Sequence, residues 1–204
     1  MNILTKLFGR SPPIRNADDL ARFIDENAAF LVQKGIYEYA RARSGHYSKV
    51  LFGEQGFKQA VEVSRWKAYP LGLAMVAEIA TVVLQETTSL DREDAIQRVS
   101  DLTLSAFDRW DAPAALDEPT WRQLRSELSE RLGRIGLHSP KRAMDVPVPF
   151  AEAYFSLMPI HESLRGPDFP TLKSYLQVTL CNVHDELTKR LDASAIEAEF
   201  GRQG

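Results

Sequence analysis

Apolar residues along this chain recur at intervals of three and four, and no stretch alternates apolar with polar residues as a half-buried strand would. The first clear segment begins after Asn16, whose side chain can cap a helix, with Asp18 and Asp19 placed favourably in its first turn. Leu20, Phe23, Ile24, Asn27, Ala28 and Leu31 keep the helical spacing, which persists through Tyr37 and Ala40 until Ser44 and Gly45 stop it. Residues 45–56, punctuated by Gly53 and Gly56, read as a loop or a short irregular piece. A second helix is expected over 57–67. Pro70 lacks a backbone donor and clashes with the preceding turn, so a kink or break is expected there. The segment 71–84 is apolar on nearly every side, which predicts a central, buried helix.

Asp91 opens the next helix, with Ile96, Val99, Leu102, Phe107 and Trp110 on its inner face and Asp111 and Pro113 at its end. Asp117 opens another. Trp121, Leu124, Leu128, Leu132 and Ile135 face inward, and Gly136 is the expected left-handed cap. Over 137–149 the periodicity lapses. Six of the eleven prolines lie between Pro140 and Pro170, which predicts an extended, stiff connector near 137–149 followed by one short helix over 150–158. The last long helix is the clearest, with Phe169, Leu172, Leu176, Leu180, Val183, Leu187 and Leu191 in register and Asp168 and Pro170 at its start. Residues 194–200 add a final turn or two. The expected fold is all-α, an irregular helical bundle of six to seven helices in a single domain over 1–204, with an N-terminal arm over 1–16.

Composition agrees with that picture and narrows function. At 204 residues, 44% of them hydrophobic, the chain can build its core without metal or disulfide staples. The lone Cys181 cannot form an internal disulfide, and no signal-peptide pattern opens the chain, so a cytoplasmic setting is expected. Leu4, Leu7 and Phe8 with Lys6 and Arg10 could form a basic amphipathic turn, read as part of the docked arm because it buries too little apolar area to hold a membrane. Between Ala68 and Gln85 the only charge is Glu78, but the run is slightly short for a span and contains Pro70 and Gly72; no transmembrane segment is expected. The formal charge of −3 gives no global field for nucleic acid. Locally, 86–118 carries nine acidic and three basic residues and 122–142 six basic and two acidic. The arginines of the second segment surround its apolar face, so the two are expected to pair with each other, with no nucleic-acid contact.

Two residues stand out as ligand-binding candidates. Glu78 sits on the most apolar helix, where a carboxylate could serve as a general base or partner a cationic ligand; the competing expectation is a narrow polar edge with Thr81 and Gln85 facing water or a loop, or a structural pair with an arginine. His184 lies one turn from Cys181, but zinc wants three or four ligands and no second such pair exists, so no metal and no cofactor are expected. As a nucleophile and base, Cys181 and His184 lack an evident oxyanion hole on one regular helix. No serine elbow, phosphate loop or dinucleotide fingerprint appears. The aromatics Trp66, Trp110, Trp121, Tyr154, Phe155 and Tyr175 are expected in the core. The reading this favours is a non-enzymatic interaction or regulatory protein that buries an amphipathic face against a protein partner or a second copy. Behind it stand a binding domain for an apolar or cationic small molecule, with an apolar cavity near Glu78 that His184 could also line, and an enzyme of hydrolase type.

Overall fold

The computed structural model describes residues 12–201. Among them are seven helices longer than a single turn: α1 (Ala17–Ser44), α2 (Gln55–Thr87), α3 (Arg92–Asp108), α4 (Glu118–Gly133), α5 (Ala151–Ser156), α6 (Phe169–Arg190) and α7 (Ala193–Phe200). No named strand occurs among the described residues, and the all-α bundle is as expected.

Capping sets most of the boundaries. Asn16, Asp91, Asp117 and Asp192 each accept a hydrogen bond from a backbone N–H in the first turn of α1, α3, α4 and α7, satisfying donors that have no intrahelical partner. Gly45 ends α1 at φ 50°, a conformation that costs a side chain dearly and glycine little. α2, α5 and α6 lack such a bond. Asp168 stands at the N-cap of α6 without bonding to the helix, because its carboxylate is taken by Tyr39 and Arg43 of α1.

α2 runs through the middle, contacting α1, α3, α4 and α6, and every residue from Ala68 to Leu84 is buried. It is long and apolar enough by composition to cross a membrane, and its apolar window is 94% buried within the protein. The expected break at Pro70 does not occur. The helices foreseen over 57–67 and 71–84 are one continuous helix, in which Pro70 is itself buried. Proline costs an interior helix about 3 kcal/mol, and burial of a helix face on four neighbours outweighs it.

The irregular piece over 45–56 holds a 3-10 turn (Gly45–Tyr47) and a helical turn (Ser48–Leu51). Two other expectations need correction. Gly136 is not a left-handed cap, since α4 passes into a 3-10 turn (Ile135–Leu137) and the only positive φ values among the described residues belong to Gly45 and Gly166. The connector 137–149 is extended only in its first part. From Arg142 it coils through successive turns, Asp145 N donating to Arg142 O, Val148 N to Asp145 O and Phe150 N to Pro147 O. Of the expected arm, residues 1–11 lie outside the described residues. Ile14 is fully buried and bridges to Leu191, so 12–16 pack on the end of α6.

Candidate functional site

Glu78 and His184 are not brought to a common site. Glu78 is 3% exposed. Its Oε1 lies 2.9 Å from Lys141 Nζ and 3.7 Å from His138 Nε2, both on the connector. The lysine approaches out of line, so Oε1 has an ion pair without an aligned hydrogen bond. His138 Nδ1 faces the Ser139 carbonyl at 2.9 Å, and Nε2 stands 3.1 Å from Lys141 Nζ. That arrangement is met when Nδ1 carries the proton and Nε2 accepts from the ammonium. Arg92 of α3 adds to the clasp by donating to the carbonyls of Ile135 and His138. Glu78 thus faces the connector, and its partner is a lysine where an arginine was expected; Thr81 turns its hydroxyl back to the Ala77 carbonyl of its own helix.

His184, at the far end of α2, pairs with Glu86 at 3.3 Å and approaches Asp185 at 3.7 Å; Cys181 is free and half-buried. No group of three or more His, Cys, Asp or Glu side chains able to hold a metal is found among the described residues. Glu78 and His184 line none of the cavities between α1 and α2 or between α1 and α6.

The most distinctive cavity lies where all three tryptophans meet. Trp66 and Tyr69 stand one turn apart on α2, Phe107 is in the last turn of α3, and Trp121 is in the first turn of α4. Phe107 and Trp121 stack at 4.3 Å, while Trp66 meets Trp121, Trp110 and Tyr69 edge to face at 5.8, 5.7 and 5.9 Å. Such geometries place ring edges against ring faces, as the aromatic quadrupole favours. Trp110 was expected inside. It lies beyond the end of α3, where Trp121 Nε1 donates to its carbonyl at 3.3 Å, and it is 47% exposed. Phe107, Tyr69 and Trp121 are buried beneath it, so the cluster grades from core to surface.

Asp25 of α1 closes the floor. Tyr69 Oη donates to its Oδ1 at 2.5 Å, and Arg109 Nη2 donates to Oδ2 at 3.3 Å. Burial pushes the Tyr69 hydroxyl well above the usual tyrosine range, and the hydrogen bond to and charge of Asp25 push it further, so it remains a donor. The cavity between Asp25, Trp66, Tyr69 and Trp110 has a volume of about 220 Å³. A second, of about 370 Å³, shares Gln33 and Arg65 with it and continues past Ile36, Val61 and Lys58 to Tyr37 and Phe52. Positions 25, 29, 33 and 37 of α1, and 58, 62, 65 and 69 of α2, fall on single helical stripes. The two cavities therefore form one groove along the seam between these helices.

A separate cavity of about 280 Å³ lies between α1 and α6, where Asp168 accepts from Tyr39 Oη at 3.0 Å and Arg43 Nε lies 3.1 Å away. Burial first, then the bond to Asp168, pushes Tyr39 up to about 12; burial pushes Tyr175 up to about 12 and Tyr154 well above the usual range. An unfolded chain releases these protons near roughly pH 10. Above that pH the unfolded state binds fewer protons than the folded one, so stability is full below it and falls as pH rises through the folded values. Tyrosinate absorbance should show Tyr39 and Tyr175 ionising no earlier than about pH 12, and Tyr69 and Tyr154 only with alkaline unfolding. Reversible ionisation of these four near pH 10 in a folded chain would contradict the burial described.

No protein-family model matches this chain, and no curated protein or solved structure matches it either. Asp25, Tyr69 and Arg109 carried no signal in the sequence. Trp66 and Trp110 are separated by a whole helix, and only the register in which α3 returns along α2 brings them together.

Proposed function

We propose that this is a non-enzymatic interaction protein whose α1–α2 groove receives an amphipathic helix of a partner protein. The observation that carries this reading is the groove's form. From Asp25 to Tyr37 it runs twelve residues along α1, about 18 Å or three helical turns, and half-exposed aromatics stand at its ends, Trp110 at 47% and Tyr37 at 46%. A helix laying anchors at i, i+4 and i+7 into a groove needs this length and this apolar floor. Charge gives the occupant a direction at the tryptophan end, where the Asp25 carboxylate stands; at the other end Lys58 is accompanied by Glu62. The partner helix accordingly carries a basic side chain toward Trp110.

A photo-crosslinking residue placed at Gln33, in cells, tests the reading. An adduct is expected that is absent when the crosslinker stands at exposed Glu130 on α4, and that Val61→Asp removes by charging the groove wall. Equal yields at the two positions would refute the groove. An adduct of twice the chain's mass would replace the partner protein with a second copy.

A further inference from the structure

The tryptophan end of the groove offers more than an apolar floor. We propose that it is a binding site for an organic cation, an alkylated ammonium or a guanidinium, held between the indoles of Trp66 and Trp110 and the carboxylate of Asp25. The inference deepens the groove reading, on which it rests for the cation's source, since the partner helix's basic side chain would enter here.

A cation of this kind wants aromatic faces and a carboxylate, with little competing water. Trp66 and Tyr69 are inclined at 83° and Trp66 and Trp110 at 62°, so the rings form walls and not a stack. Asp25 still has capacity. Its oxygens accept one bond each, from Tyr69 and from Arg109, whereas an ionised carboxylate offers about four lone-pair sites. Tyr69, held protonated, fixes the orientation of the carboxylate from beneath.

The protein's own guanidiniums already sample both kinds of contact. Arg65 Cζ lies 5.0 Å from the centroid of Trp66, and Arg109 holds Asp25 through a single contact at 3.3 Å. Arg65 is committed to Glu62 at 2.8 Å. Arg109 is 51% exposed, and a pair so open is weak, so a better-seated cation displaces it. An anion would face Asp25 and is disfavoured. At about 220 Å³ the cavity suits a headgroup, since sites for drug-sized ligands start at roughly 300 Å³.

Because all three tryptophans of the chain belong to this cluster, their fluorescence reports on it directly. The full chain would be titrated with tetramethylammonium chloride and with methylguanidinium chloride, against sodium chloride at matched ionic strength. A saturable change is expected for the organic cations alone. Arg109→Ala should tighten binding several-fold by freeing Asp25. Asp25→Asn, which keeps an acceptor for Tyr69, and Trp110→Ala should each weaken it roughly tenfold.

Opposite signs for Arg109→Ala and Asp25→Asn separate the site from a general loss of folding. Organic cations behaving as sodium does, in both the native chain and Arg109→Ala, would overturn the proposal. So would Asp25→Asn binding as tightly as the native chain. A designed amphipathic helical peptide with one terminal lysine, beside the same peptide with norleucine there, distinguishes the sources. Equal binding by both peptides with no response to free cation keeps the groove and removes the cation site; response to free cation with neither peptide bound keeps the site and removes the helix.

Discussion

Lys141→Met should lower the unfolding free energy by about 3 kcal/mol, because it strips a buried carboxylate of its counter-charge. Glu78 projects from the middle of a helix whose every neighbour from Ala68 to Leu84 is buried, and Lys141 Nζ, at 2.9 Å, is the cation nearest to it. Methionine fills a similar volume without the charge. A neutral His138, 3.7 Å from Glu78, supplies no counter-charge in its place. The double variant with Glu78→Gln removes the charge that suffers, so it should recover much of the loss. Urea unfolding of the two single variants and the double gives the coupling directly. A Lys141→Met chain within about 0.5 kcal/mol of the native one would mean that Glu78 finds relief elsewhere and that the clasp contributes nothing.

The same clasp shows where sequence reasoning reached and where it stopped. Periodicity found the helices, since Leu20 to Leu31 and Leu172 to Leu187 pack inward on the spacing that predicted them. It also singled out Glu78, as the one charge on an apolar helix. The identity of the facing group was not legible, because Lys141 sits in a proline-bearing connector whose path is set by Arg92 holding the carbonyls of Ile135 and His138. Local rules failed where packing overrode them. Pro70 predicts a kink or break and lies in a helix that does not break; Gly136 looks like a cap and is part of a 3-10 turn. His184 drew notice as a titratable group beside the core and proves to be the partner of a rim glutamate.

The groove was illegible for a different reason. Asp25 on α1 looks like an ordinary outward-facing acid, and Trp110 looks like one more inward position on the face of Val99 and Phe107. What makes them a site is that α3 ends at Asp108, two residues before Trp110, and that the chain then turns so that Trp121 holds the Trp110 carbonyl. A boundary shifted by half a turn decides whether an indole is core or wall. Such boundaries are the part of a helix that periodicity defines least well.

Gly72→Val should destabilise the protein by about 3 kcal/mol, and Gly72→Ala should lose stability where alanine in a helix ordinarily gains it. A Cβ at position 72 would stand 2.7 Å from Val32 Cγ2 and 3.1 Å from the carbonyl oxygen of Ala28. Val32 is buried and β-branched, so its methyl has little freedom to turn aside. The Ala28 oxygen belongs to the backbone of α1 and yields only if the two helices part. Gly56, in the first turn of the same helix, has nothing within 4 Å of an added Cβ. There the same glycine-to-alanine change should raise stability by up to about 1 kcal/mol. Thermal unfolding of the two alanine variants would therefore move in opposite directions, and a gain at both would show that α1 and α2 do not cross as closely as described. The consequence reaches the groove. Small residues let the helices touch at Ala28 and Gly72, while Gln33, Arg65 and Trp66 stand between them farther along and leave the gap unfilled. A side chain that forces the crossing apart would change the width of that gap, so a Gly72→Ala chain that still folds should bind organic cations less well, even though position 72 lines neither of the groove's two cavities.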